Sequence, residues 1–328
     1  MKAAVIILFT AFWVSRLYAQ MPGTGNIATM ERRIAAGRIT NGVKSIASNN
    51  FEVHYYQMYW QVDPAVNYIT GKVTAHFILT QSASAIVFDL THVLTVDSVL
   101  MHNTKMSFKQ DTDESLTIQL DKIYNASEQD SVTIYYQGVP PATNQAFVQS
   151  YHNGAPIIWT LSEPYGAKDW WPCRNGLDDK ADSIDVYIIH PAQYKATSNG
   201  LLQSETTTDT TTTTFYKHRY PIASYLVAFA VSNYSVYSTT VQLGNNSLPL
   251  IYYAYPESIS NFMTYSYIVE NALILYNNVF GDYPFMKEKY GETQFGYNGG
   301  MEHQTNSFVD EVATNLEVHE LAHHWFGD

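Results

Sequence analysis

Short segments in which apolar and polar residues alternate fill the chain from residue 51 to about residue 255. Alternation with a period of two, in segments rich in Val, Ile, Thr and Tyr, is typical of strands that bury one face. The segments that follow this pattern are 51–62, 68–80, 85–90, 115–120, 131–136, 183–189, 211–218, 222–237 and 248–255. We therefore predict an all-β domain over residues 49–249, built as a saddle or a sandwich.

The pattern changes after Pro256, where apolar residues recur with the spacing of a helix. Ser258 is a candidate N-cap, the apolar positions run from Ile259 to Tyr276, and Gly281 is a candidate end. This helix marks the start of a second region, residues 250–328, which we predict to be an α+β domain.

Two short strands and a second helix are predicted in the rest of this region. The strands are 290–297 and 304–309, and Asn298-Gly299 between them is a strong hairpin-turn signal. The helix follows Thr314, which together with Glu317 has the spacing of a capping box.

The first 19 residues are predicted to be an export signal. Lys2 gives a positive start, an apolar run extends from Ala3 to Val14, and Leu17-Tyr18-Ala19 resembles a cleavage site. An uncleaved anchor helix is the alternative, although the apolar run is too short to span a bilayer. Residues 20–48 follow as a leader. The signal predicts a secreted or periplasmic protein with no membrane span once the signal is removed.

Charge and cysteine content narrow the class of protein. The formal net charge of −12 becomes −14 without residues 1–19, because that segment carries Lys2 and Arg16 and no acid. This acidic balance argues against nucleic acid as a partner. Cys173 is the only cysteine, so no internal disulfide can form, and its apolar neighbours predict a buried, inert thiol.

The strongest chemical signal is the H-E-x-x-H sequence at His319-Glu320-Leu321-Ala322-His323. On a helix, residues i and i+4 lie on one face with Cβ atoms about 5–6 Å apart. His319 and His323 can therefore bind one zinc ion, each at roughly 2.0–2.1 Å. Glu320 lies near the same metal, where its carboxylate can take a proton from metal-bound water.

A chance match on a solvated helix is the alternative explanation of this motif. The flanking residues are largely apolar, so the helix is predicted to be buried. Two buried imidazoles and a buried carboxylate cost several kcal/mol unless they have partners. One Zn²⁺ ion satisfies all three groups, and the sequence therefore predicts one zinc per site.

A second motif, Gly299-Gly300-Met301-Glu302-His303, lies shortly before the predicted helix that carries His319 and His323, which we call the metal helix. A hairpin turn with a surface charge at Glu302 is one interpretation. In the other, the two glycines let a substrate backbone approach closely while Glu302 receives a cation. The residues alone leave both interpretations open.

The two motifs in this order resemble the aminopeptidase N-like family of zinc metallopeptidases, the gluzincins. Family members carry a G-x-M-E-N type motif before H-E-x-x-H, and their N-terminal β saddle precedes a thermolysin-like catalytic domain. The resemblance extends from about residue 50 to the end of the chain. It implies a metallo-aminopeptidase that removes N-terminal residues from peptides by attack of metal-activated water, with residues 250–328 as a truncated zinc peptidase domain.

The resemblance also implies a role for each motif residue. Glu302 would bind the free α-amino group of a peptide, and Glu163 would bring a second carboxylate to the same amine. Gly299, Gly300 and Met301 would line the peptide backbone. His303 belongs to this substrate-binding set and replaces the commoner asparagine. His324 stands where glutamine is common; it points about 100° away from His323 on the helix and is treated as a non-ligand.

The family pattern includes parts that lie beyond Asp328. Members take a third zinc ligand, a glutamate, from a following helix, together with a tyrosine that stabilises the transition state. We therefore expect this chain to be a fragment that binds zinc weakly and turns over little. A zinc endopeptidase, an epoxide hydrolase of the same family and a non-catalytic peptide-binding module are the alternatives.

Overall fold

The computed structural model describes residues 45–177, 179–312 and 314–327. The predicted export signal, residues 1–19, lies outside the described residues, and so does most of the predicted leader, residues 20–48. Within the described ranges, neither α-helix combines the length and the apolar character that a bilayer span needs.

Strands make up most of the chain from Phe51 to Ser232, which confirms the mainly β character predicted for this region. The strands are β1 (Phe51–Asp63), β2 (Val66–Leu79), β3 (Ala83–Asp89), β4 (Thr95–Met101), β5 (Thr104–Met106), β6 (Phe108–Gln110), β7 (Ser115–Tyr124), β8 (Gln129–Gly138), β9 (Phe147–His152), β10 (Ala155–Thr160), β11 (Lys180–Ala181), β12 (Ser183–Pro191), β13 (Lys195–Ser198), β14 (Leu201–Thr208), β15 (Thr211–His218), β16 (Ile222–Ala223) and β17 (Phe229–Ser232).

These strands form one large sheet and several small ones around a shared core. The eight-stranded sheet has the order β14-β15-β12-β1-β2-β8-β4-β5, beside a four-stranded sheet β13-β17-β10-β9 and a three-stranded sheet β3-β7-β6. Trp60 of β1 and Phe229 of β17 meet with ring centroids 5.4 Å apart, and Trp170 lies 4.7 Å from Trp60. Large aromatic side chains therefore fill the space between the sheets.

A bulge in β1 decides which side chains enter this core. The register with β2 shifts between Val53 and Tyr55, and the buried positions change from odd numbers to even numbers there. Because strand side chains alternate between faces, one extra residue turns every later side chain to the other side. Met58 and Trp60 are fully buried as a result.

One strand prediction in this region is wrong. Residues 222–237 do not form a single strand, because the chain breaks into β16, a 3-10 turn at Ser224–Leu226 and β17 before a new strand begins at Ser235.

The prediction for Cys173 agrees with the structure. Its side chain is fully buried, and burial raises the pKa of the thiol well above the usual value, as expected for an inert side chain.

The remainder of the chain forms a sheet with two helices packed against it. Its elements are β18 (Ser235–Leu243), β19 (Asn246–Ala254), α1 (Ile259–Phe280), β20 (Tyr290–Gln294), β21 (Gly300–Met301), β22 (Ser307–Val309) and α2 (Thr314–His323). The sheet order is β18-β19-β20-β22-β21. The predicted limits of the first helix, Ser258 and Gly281, are observed as its N-cap and C-cap. The domain boundary near residue 250 stays a prediction.

The aromatic core generates one stability prediction, at Gly71 of β2. Gly71 pairs with Tyr136 of β8, and a Cβ atom at position 71 would overlap the Tyr136 ring. That ring cannot move freely, since its hydroxyl accepts a hydrogen bond from Trp60 Nε1 at 3.0 Å and donates one to the Trp170 carbonyl at 2.9 Å. We expect Gly71→Ala to lower the free energy of unfolding by about 1–3 kcal/mol.

Denaturant unfolding of Gly71→Ala and of Thr70→Ala measures this effect. Thr70 is the exposed neighbour on the same strand and serves as the control. Equal midpoints for both variants would show that the sheet relaxes around the added methyl group.

Candidate active site

Helix α2 is held in place on one side by apolar contacts and by hydrogen bonds from its neighbours. Leu316 and Leu321 are buried in the core that α2 shares with α1 and the five-stranded sheet. Tyr276 of α1 donates a hydrogen bond to the Val318 carbonyl at 3.1 Å, and Trp325 Nε1 donates one to the Gly281 carbonyl at 3.1 Å. These contacts leave the opposite face of α2 for the H-E-x-x-H side chains.

The two histidines of this motif converge on one point. The Nε2 atoms of His319 and His323 lie 3.3 Å apart, and the ring planes are nearly perpendicular, at 88°. Two ligands of a tetrahedral zinc at 2.0–2.1 Å would lie about 3.3–3.4 Å apart. The pair therefore fits two ligand positions of one zinc ion. No group of three His, Cys, Asp or Glu side chains in the described ranges is arranged to hold a metal.

Glu320 brings the two sequence motifs into contact. Its side chain is buried and lies against the backbone of Gly300 in β21; a Cβ atom at position 300 would overlap the Glu320 carboxylate and lie 2.7 Å from its Cγ. The absence of a side chain at Gly300 therefore makes room for Glu320. The resemblance assigned Gly300 to the substrate backbone, and that role stays a prediction.

The strand that carries Gly300 and Met301 lies at the edge of the sheet. β21 pairs in antiparallel fashion with β22, whereas β20 pairs in parallel with β22. Of the two interpretations left open for this segment, the hairpin turn at Asn298-Gly299 is therefore wrong: the chain leaves β20, forms the edge strand β21 and returns as β22 between them. Gly299 has a φ of +145°, which favours glycine, and its N–H donates to Asp310 Oδ2 at 3.1 Å.

His303 lies in the interior, although the resemblance grouped it with the substrate-binding residues. Its side chain is fully buried against Phe308, with ring centroids 4.4 Å apart, and neither ring nitrogen has a hydrogen-bond partner among the described residues. Burial lowers the pKa of His303 to about 3. The imidazole is neutral near pH 7, and a role toward substrate stays a prediction.

The two carboxylates proposed to bind an amine occupy different parts of the fold. Glu302 follows β21 directly and is half-buried. Glu163 follows β10 and lines a cavity of about 230 Å³ together with Tyr225 and Gly327. Since Gly327 comes just after α2, the structure brings the Glu163 loop to the end of the metal helix.

Hydrogen bonds fix the loop that carries Glu163. Trp170 Nε1 donates to Ser162 Oγ at 2.9 Å, and the Gly166 N–H donates to the Ser162 carbonyl at 2.7 Å. The loop is thereby tied to the aromatic core of the β sheets, and a tied loop can hold a carboxylate in one place. The role of Glu163 stays a prediction.

Sequence reasoning missed a pair of buried carboxyl groups beneath α2. Glu292 of β20 and Glu317 of α2 are buried and hydrogen-bonded to each other, and Tyr290 donates to Glu292 Oε1 at 3.2 Å. Burial raises the pKa of both groups, so the pair retains a proton above the usual carboxyl range. Glu317 was predicted to cap the helix start, and the structure shows that it contacts Glu292 instead.

His324 is the second feature that the motif did not predict. Its imidazole is buried, with Nδ1 2.9 Å from the Tyr283 hydroxyl and Nε2 3.4 Å from Ser307 Oγ. Burial, and then the nearby His323, lower the pKa of His324 well below the usual value. The prediction that His324 is not a ligand agrees with this inward direction.

Comparison with known sequences identifies related proteins. The family profile described as the Peptidase M1 N-terminal domain matches residues 52–226. Glutamyl aminopeptidase of Sus scrofa is 31% identical over 192 residues, with 52% of this chain and 20% of the relative covered. The Homo sapiens protein of the same name is 29% identical, with 52% and 19% covered. The chain spans about a fifth of the length of these curated relatives.

Comparison with solved structures supports the fold. The crystal structure of an M1 zinc metallopeptidase from Deinococcus radiodurans has a TM-score of 0.76 at 22% identity, covering 86% of this chain and 66% of that one. A mutant M1 zinc metallopeptidase of the same organism, bound to a Tyr-Ser-Ala substrate, has a TM-score of 0.75 at 21% identity, covering 85% and 65%. At such low identity the likeness shows the fold alone.

The buried imidazole of His303 generates a prediction about acid stability. Its folded pKa of about 3 lies below the usual 6.5, so the unfolded chain binds more protons between these values. Its contribution to the free energy of unfolding is therefore largest above pH 6.5 and falls as the pH is lowered toward 3. We expect His303→Leu to remove a slope of about 1 kcal/mol per pH unit in this window.

Denaturant unfolding at pH 7, 6, 5 and 4 measures the slope. His92→Leu removes an exposed histidine and serves as the control. Parallel curves for His303→Leu and the original chain would mean that His303 is solvated in solution.

Proposed function

This chain belongs to the M1 family of zinc metallopeptidases, the aminopeptidase N-like family, and from that premise we propose that it is a zinc-dependent aminopeptidase that removes N-terminal residues from peptides. The observation that carries the proposal is the 3.3 Å separation of the His319 and His323 Nε2 atoms, with buried Glu320 between them in sequence. This arrangement supports a metal-activated hydrolysis.

The proposal includes the finer assignments that the family resemblance implies. Residues 250–328 are the start of an α+β, thermolysin-like catalytic domain, and His319 and His323 are two of the ligands of one Zn²⁺. The protein is exported to the periplasm or the exterior through the signal at residues 1–19. Peptides with a free N-terminus are the substrates.

Zinc, when bound, lowers the pKa of a water molecule to about 7 and polarises the scissile carbonyl. The protein then supplies proton transfer at one carboxylate. Glu320 accepts the proton from the water and passes it to the leaving amine. Its position against the Gly300 backbone holds the carboxylate beside the edge strand, so that a peptide bound along β21 lies next to the base.

Recognition of the substrate amine is assigned to Glu302 and Glu163. Two carboxylates close to one point repel each other, and an ammonium group relieves that repulsion through charge-assisted hydrogen bonds. Such a pair also fixes how far the first peptide bond lies from the metal. An endopeptidase would gain nothing from this contact, because its substrates present no charged amine at the site.

We expect metal binding and turnover to respond differently to substitutions in α2. His319→Ala and His323→Ala should each remove most of the zinc, because each deletes a ligand. Glu320→Gln should keep the zinc and lower kcat by about 10²–10⁴-fold, because it removes the general base. Zinc content by mass spectrometry and release of N-terminal residues are measured on the 328-residue chain and on the longest product of its gene, with His92→Ala as the control.

Blocking the substrate amine tests the assignment of exopeptidase activity. We expect peptides with a free N-terminus to be cleaved and their N-acetylated forms to resist cleavage, because acetylation removes the charge that Glu302 and Glu163 bind. The peptide set includes an N-terminal glutamyl residue, since the named relatives are glutamyl aminopeptidases. Equal cleavage of capped and uncapped peptides would identify an endopeptidase, and peptide binding without any cleavage would identify a binding module.

A further inference from the structure

The imidazole next to the second proposed zinc ligand is fixed at both ring nitrogens. His324 follows His323 directly and is buried, with Nδ1 2.9 Å from the Tyr283 hydroxyl and Nε2 3.4 Å from Ser307 Oγ. The aminopeptidase mechanism proposed above assigns no function to this side chain. Its contacts nevertheless link the end of the metal helix to two other segments of the fold.

The hydrogen-bond directions determine which groups can replace this imidazole. The Tyr283 hydroxyl lies 3.2 Å from the Lys289 carbonyl, to which it can donate its one proton, and in that tautomer it accepts a hydrogen bond from His324 Nδ1–H. The other ring nitrogen then accepts from the Ser307 hydroxyl. A glutamine amide also offers one donor and one acceptor, whereas leucine offers neither.

Aromatic rings enclose His324 and prevent it from turning. The ring centroids of Tyr283, Phe285 and Tyr290 lie 5.8, 5.5 and 5.2 Å from that of His324. A side chain bonded at two atoms and enclosed by three rings has one orientation. The backbone at the end of α2 is fixed with it.

The orientation of His324 determines where the metal-facing side chains point. His324 is the first residue after α2, and its N–H donates to the Leu321 carbonyl at 3.2 Å, so the helix end and His324 form one continuous turn. Holding His324 inward therefore also holds the preceding, half-buried His323. Ser307 begins β22, the strand paired with the edge strand of Gly300 and Met301. The bond between Ser307 and His324 therefore joins the metal helix to the sheet beside the second motif.

We propose that His324 is a positioning residue: its bonds to Tyr283 and Ser307 set the rotation of the end of α2, and thereby the distance between the His319 and His323 Nε2 atoms that one zinc ion requires. The proposal rests on the proposed function in taking these two histidines as metal ligands.

Zinc affinity of the 328-residue chain tests this proposal in four variants. His324→Leu removes both hydrogen bonds at similar size, and His324→Gln retains a donor and an acceptor. Tyr283→Phe removes one partner oxygen and keeps the ring, and Val132→Ala in β8 destabilises a distant core site as a matched control. Competition with a chromophoric chelator gives the Kd for zinc of the folded fraction. After zinc is replaced by cobalt, the proton resonances of the histidines report the geometry of the metal ligands.

We expect His324→Leu to bind zinc at least about ten-fold more weakly, as is common when support of a metal ligand is lost. Tyr283→Phe should weaken binding to a smaller extent, and His324→Gln should stay within about two-fold of the original chain. The cobalt-shifted resonances should move in the first two variants. Val132→Ala should lose stability without a change in Kd, which separates positioning from general destabilisation.

The outcomes distinguish this proposal from the proposed function. Unchanged zinc affinity and cobalt spectra in Tyr283→Phe overturn the positioning role, even if His324→Leu does not fold. A His324→Gln variant that binds as weakly as His324→Leu also overturns it, since the hydrogen bonds would then be irrelevant. An original chain whose zinc affinity is unchanged in both His319→Ala and His323→Ala overturns the proposed function first, because these two histidines would then not be the ligands.

Discussion

The packing of helix α2 depends on one constraint: the polar groups that it buries against the sheet need partners there. Helix α2 packs through Leu316 and Leu321 into an apolar core, and this packing carries polar side chains of the same helix inside with them. A buried polar group without a partner costs about 1–3 kcal/mol. The sheet beneath α2 provides these partners: Glu292 is hydrogen-bonded to Glu317, and Ser307 is hydrogen-bonded to His324, the residue after the helix. The sheet strands and the helix are therefore mutually dependent.

The β sheets of the N-terminal region contribute a firm support for one loop. Trp170 is part of the aromatic core and also donates the hydrogen bond that holds Ser162. The ion pair between Lys168 and Glu114 and the hydrogen bond from Asn144 to Asp169 tie the same segment further. The loop that brings Glu163 to the end of α2 is thus anchored by groups from several parts of the β fold.

The sequence predicted those features that depend on local pattern. The limits of α1 were predicted because its cap residues and apolar spacing lie within one continuous segment. The convergence of His319 and His323 was predictable because helical geometry alone places residues four apart on one face. The alternation in β1 and β2 likewise indicated strands, although the bulge after Val53 left no signal in the residue pattern.

Features that depend on distant partners were not predictable. Glu317 has the spacing of a capping residue, and only the position of Glu292 across the sheet shows that it is buried in an acid pair. The turn signal at Asn298-Gly299 is also compatible with a hairpin, because sequence does not reveal that β22 inserts between β20 and β21. The inward direction of His324 likewise depends on Tyr283, which lies 41 positions away along the chain.

The insertion of β22 between β20 and β21 has a consequence for how such a site can diversify. Both ends of the excursion from Gln294 to Ser307 are fastened to neighbouring strands of one sheet. The same excursion carries the edge strand β21, whose Gly300 leaves the room that the Glu320 carboxylate occupies. A change in the length of the excursion would therefore move Glu302 and the space around Glu320 together, and evolution of one is tied to the other.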